Sequence, residues 1–159
     1  WNDTVQALPP VTLHGLIDAQ VARTPDAIAV RFEDASLDYA ELDARANRLA
    51  HHLITLGVRR GALVGVCAER SLELVVALLG VMKAGAAYVP LDPSHPPQRL
   101  GYVRRDCGAT VLIAQRHLVP KLGATDDVRH LVLLDEAATW GRYPPGAPDV
   151  AVGPEDLAY

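Results

Sequence analysis

Four stretches of the chain are apolar at nearly every position, and they recur at similar intervals. They are ALVGVCA, AAYVPL, TVLIAQ and HLVLLD, at residues 62–68, 86–91, 110–115 and 130–135. Continuous apolar runs of this length indicate strands that are buried on both faces, as in a parallel sheet. The segments that join them have helical patterns; they are residues 71–85, 96–108 and 116–122. We therefore predict an α/β fold with a doubly wound, mostly parallel sheet.

The residues ahead of the first run predict an N-terminal helix and a β-hairpin. Thr12 is a good N-cap for this helix, and Pro25 ends it. Its predicted shared face comprises Leu13, Leu16, Ile17, Gln20 and Val21. Apolar Ile28, Val30 and Phe32 then alternate with other residues, which indicates a half-buried strand. The turn EDAS at residues 33–36 leads into a short partner strand.

The strongest helical period lies in LDYAELDARANRLAHHLITLG, residues 37–57. Its apolar positions are spaced by four and three residues, and they are Leu42, Ala46, Leu49, Leu53 and Leu56. Asp38 and Glu41 are predicted to form a capping box, and Gly57 to end the helix. Residues 137–155 are rich in proline and glycine and predict a loop. Residues 1–11 have no periodicity and predict a linker, in which Trp1 is an unusual residue.

Composition narrows the class of protein. The chain has 159 residues, of which 50% are hydrophobic, and a formal net charge of −4. No basic excess is present to neutralise phosphates, so we expect no nucleic-acid partner. The longest apolar run, residues 74–82, is too short to cross a bilayer, and the N-terminus lacks the pattern of a signal peptide. We therefore expect a cytoplasmic protein without a membrane partner, in which Cys67 and Cys107 are buried, reduced thiols.

Candidate ligand-binding residues follow the predicted strands, because ligands of parallel sheets bind beyond the carboxyl ends of the strands. These positions hold Glu69-Arg70-Ser71, Asp92 and Asp135-Glu136. Ser71 is also a good helix cap and Asp92 a good turn residue, so structural roles are favoured for this set. Neither the P-loop pattern nor the dinucleotide-binding glycine pattern occurs in the chain.

The remaining polar residues offer no complete catalytic constellation. The six histidines have no metal-ligand spacing; they are His14, His51, His52, His95, His117 and His130. His51 and His52 are adjacent on a helix and point in different directions. Lys83 lies in the last turn of its helix, where its charge suits the helix dipole, and Arg104-Arg105 is predicted to mark a solvated face. By themselves the residues predict a soluble α/β domain and no specific reaction.

Longer motifs carry a family resemblance. MKAGAAYVPLDPSHPPQRLGYVRRDCGA, residues 82–109, closely resembles the second core motif of amino-acid adenylation domains in nonribosomal peptide synthetases. LDYAELDARANRLAHHL, residues 37–53, resembles the first core motif, with Asp38 where that pattern has threonine. LHGLIDAQVARTPDAIAV at residues 13–30 and the segment 57–92 also fit the family, so the resemblance covers nearly the whole chain.

The resemblance implies the N-terminal part of an adenylate-forming enzyme fold over residues 12–159. WNDT at residues 1–4 resembles the linker that follows an upstream condensation domain, which would place Trp1 at the domain junction. In the family, a segment like PEDLAY leads into the phosphate-binding loop, so Tyr159 is expected to lie just before that loop. No residue here matches a family catalytic, cofactor-binding or metal-binding position, and the fragment is expected to be inactive scaffold.

For the complete domain, the resemblance implies activation of an amino acid with ATP and Mg²⁺ to aminoacyl-AMP. The acyl group would then pass to the phosphopantetheine of a downstream carrier domain. A small activator protein is a further partner that the resemblance raises, and no cofactor is expected on the fragment itself. Two other hypotheses stay open at the level of sequence. One is a truncated, non-catalytic interaction module that docks on a synthetase partner, and the other is a self-sufficient nucleotide-binding domain.

Overall fold

The structure is a computed structural model that describes residues 10–123 and 125–159. Its helices are α1 (Leu13–Arg23), α2 (Tyr39–Thr55), α3 (Leu72–Lys83), α4 (Pro97–Cys107) and α5 (Ala137–Trp140), with a 3₁₀ helix at Arg116–Leu122. Its strands are β1 (Ile28–Phe32), β2 (Ala35–Asp38), β3 (Leu63–Cys67), β4 (Ala87–Pro90), β5 (Val111–Ala114) and β6 (His130–Leu133). Most of the predicted linker, Trp1 included, lies outside the described residues.

The four continuous apolar runs form one parallel sheet, in the order β4-β3-β5-β6. Val64 of β3 lies opposite Tyr88 on one side and opposite Val111 on the other. The chain first moves from β3 outward to β4, then returns across β3 to β5 and β6, so the direction of winding reverses between β3 and β5. Strands β1 and β2 form a separate antiparallel hairpin. The predicted doubly wound α/β fold is confirmed.

Both faces of the sheet are covered, which explains why its strands do not alternate with polar residues. Val64 and Ile113 belong to the core under α2 and α3. Cys67 and Leu112 belong to a second core under α4 and the 3₁₀ helix. A Cβ atom at Gly65 would lie 2.4 Å from a terminal methyl group of Leu112, so a larger residue at this position would force the Leu112 side chain to shift.

The helix ends largely follow the predicted signals. Thr12 Oγ1 accepts from the Gly15 N–H at 3.1 Å and caps α1. Asp38 Oδ1 accepts from the Glu41 N–H at 2.7 Å and caps α2. The capping box is only half formed, because the Glu41 carboxylate pairs with an arginine one turn later, Arg45.

Three predictions about the packing of the N-terminal and loop segments were wrong in detail. Ile28 and Phe32 of β1 are exposed, because a register shift between Ile28 and Val30 interrupts the alternation. Leu13 and Leu16 on α1 are each 54% exposed, so the predicted apolar face is buried only in part. The predicted loop over 137–155 begins with the short helix α5.

Lys83 lies in the last turn of α3, as predicted, but it is buried and its charge is paired with two carboxylates. Its side chain is 3% exposed, and Nζ lies 2.5 Å from Asp18 Oδ1 on α1 and 2.8 Å from Asp43 Oδ1 on α2. The last carbonyls of α3 are instead bound by the backbone, where the Gly85 N–H donates to the carbonyl of Met82. The lysine therefore ties three helices together by charge.

The prediction that Arg104-Arg105 marks a solvated face was wrong for Arg104, which is buried, whereas Arg105 is exposed as expected. The Arg104 side chain is 1% exposed and its Nη1 lies 2.5 Å from Asp127 Oδ1 in the loop before β6. Burial opposes ionisation of Asp127, but the hydrogen bond from Arg104 lowers its pKa overall. The periodicity of α4 did not distinguish these two arginines, because charge alone does not say which side of a helix faces the core.

Candidate functional site

The carboxyl ends of the four parallel strands meet at one edge of the sheet, and the predicted ligand-binding residues lie there. We call this the carboxyl edge; it comprises residues 68–71, 91–95, 115–117 and 134–136. Because the winding reverses between β3 and β5, the position between those strands is where α/β sheets commonly bind ligands.

The turn after β5 joins the turns after β3 and β6. The Glu69 N–H donates to Gln115 Oε1 at 2.8 Å, and His117 Nε2 lies 3.3 Å from Glu69 Oε2. The Arg116 N–H donates to Asp135 Oδ1 at 3.0 Å, and the Arg116 guanidinium contacts the carboxylate of the next residue, Glu136. The carboxyl edge is thus a set of polar groups paired largely with one another.

Residues 115–117 were missed by the sequence analysis. Gln115 ends the run TVLIAQ, and Arg116 and His117 follow it directly, so the rule that selected Glu69 and Asp92 would have selected them as well. Their importance lies in the contacts that cross from one strand end to the next. Such contacts depend on the order of strands in the sheet, which periodicity does not give.

Two of the predicted ligand-binding residues have the structural roles that were favoured for them. Ser71 Oγ accepts from the Leu74 N–H at 3.1 Å and caps α3. Asp92 Oδ1 accepts from the Ser94 N–H at 2.9 Å in a tight turn. Hydrogen bonds from the Ser94 backbone and hydroxyl lower the pKa of Asp92, so its carboxylate stays ionised.

Cys67 ends β3 at the centre of the carboxyl edge, but it is not an activated thiol. The side chain is buried, and burial raises its pKa to about 11, against the opposing charge of Lys121. Both Cys67 and Cys107 are free thiols, and Cys107 is only half-buried. Cys67 is not suited to act as a nucleophile at neutral pH, because the thiolate is the reactive form.

An apolar groove opens beside the carboxyl edge, between α3 and β4. It has a volume of about 260 Å³. Its walls are mostly aliphatic, with the phenol ring of Tyr88 on one side and Asp92 at the rim. The shape and the lining of this groove suit an apolar side chain or a small apolar ligand.

β4 lies at the edge of the sheet, and a C-terminal segment of the chain lies along its outer side. The Tyr88 N–H donates to the Ala158 carbonyl at 3.1 Å. On the inner side of β4, the Ala87 N–H donates to the Ala62 carbonyl at 2.9 Å. Ala62 directly precedes Leu63, the residue of β3 that lies opposite Ala87. The rings of Tyr159 and Tyr88 stack, with centroids 5.7 Å apart.

His51 and His52, although adjacent on α2, point in different directions. His51 Nε2 lies 3.0 Å from the Gly146 carbonyl, whereas the ring of His52 faces Tyr143. Within residues 10–123 and 125–159, no group of three or more His, Cys, Asp or Glu side chains is placed to hold a metal ion. No helix in the same part of the chain combines the length and apolarity needed to cross a membrane.

Comparison with known proteins identifies the family. Residues 17–159 match the model of the family described as AMP-binding enzyme. The whole chain is 46% identical to part of a linear gramicidin synthase from Brevibacillus parabrevis and 44% identical to part of malpinin synthetase from Mortierella alpina. It spans only 2% of the length of each of these relatives.

Solved structures agree with the sequence match. The nonribosomal peptide synthetase FmoA3 superposes with a TM-score of 0.91 at 34% identity, over 99% of this chain and 17% of that one. A fatty acyl CoA synthetase of Mycobacterium tuberculosis shares the fold, with a TM-score of 0.81 at 23% identity, over 90% of this chain and 30% of that one. The chain therefore belongs to the AMP-binding enzyme family, and it has the fold of the N-terminal part of an adenylate-forming enzyme, like that of a nonribosomal peptide synthetase adenylation domain.

Proposed function

We propose that residues 12–159 form the N-terminal portion of an adenylation domain that activates an amino acid in a nonribosomal peptide synthetase. The observation that carries this proposal is the match of the whole chain to peptide synthetases of which it spans a very small part. Residues 1–11 are then the linker from an upstream condensation domain. The domain continues beyond Tyr159 into the phosphate-binding loop.

The reaction of the complete domain has two steps. An oxygen of the amino-acid carboxylate attacks the α-phosphorus of ATP, and pyrophosphate leaves to give aminoacyl-AMP. The thiol of a carrier domain's phosphopantetheine then attacks the acyl carbon and releases AMP. Mg²⁺ bound with ATP would supply charge neutralisation in the first step.

Within this reaction the chain serves as scaffold, and we assign it no catalytic, cofactor-binding or metal-binding residue. The geometry at β4 supports this role. The Ala158 carbonyl accepts from the Tyr88 N–H on the outer side of β4, so the residues that follow Tyr159 in the complete domain would begin beside this strand. Pro90 has no N–H to offer on this edge, so a continuing strand would bind there mainly through its own N–H groups.

The proposed partners follow from the assembly line. They are an upstream condensation domain, a downstream carrier domain, the amino-acid substrate and a small activator protein. We place the protein in the cytoplasm, where ATP and carrier domains are available, with no nucleic-acid or membrane partner. The net charge of −4 supports the exclusion of nucleic acid.

The first test is the intact mass of the native protein that contains this segment. Peptides from VMKAGAAYVPLDPSHPPQR, residues 81–99, would locate the protein in a cell extract. We expect a mass far above the 17.1 kDa of this chain, and exchange of pyrophosphate into ATP that depends on one amino acid. The same assay without amino acid is the control. A native mass near 17.1 kDa would overturn the proposal in favour of a docking module.

A further inference from the structure

The last residues of the chain expose their large apolar side chains. We call residues 153–159 the exit segment. Leu157 is 72% exposed and Tyr159 is 76% exposed. Apolar burial stabilises in proportion to the area that is removed from water, so these side chains contribute little to the position of the segment. Its position therefore depends chiefly on the polar contacts that it makes.

Asp156 makes two of these contacts with one carboxylate. Its Oδ2 accepts from the Gly153 N–H at 2.7 Å, which closes a turn within the exit segment. Arg60 Nε lies 3.0 Å from Oδ1 and 2.9 Å from Oδ2 of the same carboxylate. The hydrogen bonds from Gly153 and from Arg60 lower the pKa of Asp156, so its carboxylate is ionised at neutral pH. The contact with Arg60 is thus a charge-assisted hydrogen bond, which is stronger than a neutral one.

Arg60 lies in a turn that is tied to the core of the domain. The N–H of the next residue, Gly61, donates to the Gly85 carbonyl at 2.9 Å. Gly85 lies between α3 and β4, so this bond joins the turn before β3 to the turn before β4. Val150, which precedes the exit segment, approaches the same glycine closely, since a Cβ atom on Gly85 would lie 2.8 Å from Val150 Cγ1. The contact between Arg60 and Asp156 therefore ties the exit segment to a fixed part of the fold.

The far end of the exit segment contacts β4. The Ala158 carbonyl accepts from the Tyr88 N–H at 3.1 Å, and the ring of Tyr159 stacks on the ring of Tyr88. Together with the pair of Arg60 and Asp156, these contacts determine where the backbone lies at residue 159.

We propose that Arg60 and Asp156 are positioning residues for the binding of ATP, and that they act through the exit segment on the phosphate-binding loop. This inference rests on the proposed function, in which the domain continues beyond Tyr159 into that loop. Backbone groups that bind phosphate are effective when they are held in place before the ligand arrives. Loss of the pair would displace the start of the loop and weaken its hold on the phosphates.

Hydrogen exchange of the full-length protein tests the first half of this inference without reference to ATP. In Arg60→Gln, we expect the Tyr88 amide to lose protection, as resolved by peptides that overlap at this residue. Asp156→Asn keeps an oxygen for the Gly153 N–H but loses the charge that binds Arg60, so it should have the same effect. Amides of β5 should keep their protection. If the Tyr88 amide is protected as in wild type in both variants, the pair does not position the exit segment and the inference is wrong.

Kinetics of ATP–pyrophosphate exchange by the full-length protein test the second half. A displacement of about 1 Å can cost about 100-fold in rate, and loss of one contact at a distance should cost less, so we expect KM for ATP to rise about tenfold. KM for the amino acid is the internal comparison and should stay unchanged. A variant that is merely less stable would contain fewer active molecules, which lowers kcat and leaves both KM values unchanged. That result would overturn the inference.

A control variant and a double variant make the test specific to the pair. Arg45→Gln removes a similar charge from an exposed ion pair on α2 and should leave KM for ATP unchanged. The double variant of Arg60→Gln with Asp156→Asn should raise KM for ATP no further than the stronger single variant, because both changes remove one contact. Multiplied effects would show that the two residues act independently, contrary to the inference.

Failure of this inference can be distinguished from failure of the proposed function. A wild-type protein without amino-acid-dependent exchange would contradict the proposed function, and the role in ATP binding would fall with it. An active wild type whose Arg60→Gln and Asp156→Asn variants keep the same KM for ATP would overturn the positioning role alone.

Discussion

At the scale of single residues, Lys83 shows how a buried charge organises helices. Replacement of Lys83 by methionine keeps much of the volume but leaves Asp18 and Asp43 facing each other without their cation. Loss of one partner from a buried ion pair costs about 3–5 kcal/mol, but both carboxylates are partly exposed, so we expect about 1–3 kcal/mol. Urea unfolding of the variant and the wild type would measure the loss.

The matched control for Lys83 is Arg45→Met. Arg45 pairs with Glu41 on the surface of α2, where both side chains are at least one-third exposed. An exposed pair of this kind contributes about 0–1 kcal/mol. Equal losses in the two variants would mean that burial of the Lys83 ammonium adds nothing to the stability of the three-helix contact.

The hairpin turn contains a strained residue. Glu33 has φ +52°, a left-handed conformation that costs a residue with a Cβ about 1–2 kcal/mol. Glycine adopts this conformation freely but is more flexible in the unfolded chain, which offsets part of the gain. We expect Glu33→Gly to raise the free energy of unfolding by about 0.5–1 kcal/mol, as measured by urea titration.

A neighbouring residue provides the comparison for the turn. Asp34 follows Glu33 and does not have a positive φ. Asp34→Gly should lower the free energy of unfolding, because it adds flexibility to the unfolded chain without relieving strain. Stabilisation by Asp34→Gly, or none by Glu33→Gly, would show that the turn is not strained at Glu33.

At the scale of elements, α4 and the loop before β6 depend on one another through Arg104. We expect Arg104→Met to lower the free energy of unfolding, because the buried guanidinium that binds Asp127 is lost. Hydrogen exchange should locate the change in residues 125–129. Arg105→Met, one position along on the exposed face, should leave both stability and exchange nearly unchanged. If the two variants had equal effects, the Arg104–Asp127 pair would not be a specific connection between α4 and the loop before β6.

The elements themselves were largely predictable, because each has local signals. The four apolar runs predicted the four parallel strands. The starts of three helices were predicted by their N-cap residues, Thr12, Asp38 and Ser71. The failures have non-local causes. A register shift after Ile28 broke the alternation of β1. The Glu41 carboxylate could complete the capping box at the start of α2 or pair with Arg45, and it pairs with Arg45. The residue pattern at the helix start does not determine which of the two contacts forms.

At the scale of the whole molecule, the sequence motifs predicted the family and the fold, but not which polar groups pair with one another at the carboxyl edge. Glu69, Arg116 and Asp135 are far apart in the chain and become neighbours only because β3, β5 and β6 are adjacent. The segment of residues 141–150 was predicted only as a loop. Its contact with α2 depends on where Tyr143 falls after the short helix α5, and composition does not determine that position.

The distribution of exposed apolar side chains leads to a last prediction about the isolated chain. Leu13 and Leu157 line one groove, and they are 54% and 72% exposed, while Tyr159 at the edge of β4 is 76% exposed. Under the proposed function, the rest of the domain covers much of this surface. We expect the isolated 159-residue chain to bind a hydrophobic dye more strongly per molecule than the full-length protein.

The double variant Leu13→Gln with Leu16→Gln separates exposed native surface from partial unfolding. If the native surface binds the dye, this variant should bind less dye while its far-ultraviolet circular dichroism stays unchanged. If dye binding is unchanged, the fluorescence arises from loosened packing in the core, since disrupted tertiary structure also exposes apolar side chains. Dye binding by the wild-type chain no stronger than that of the full-length protein would contradict the prediction. The surface would then be that of a self-contained module, as expected for a native protein of this length that docks on a synthetase.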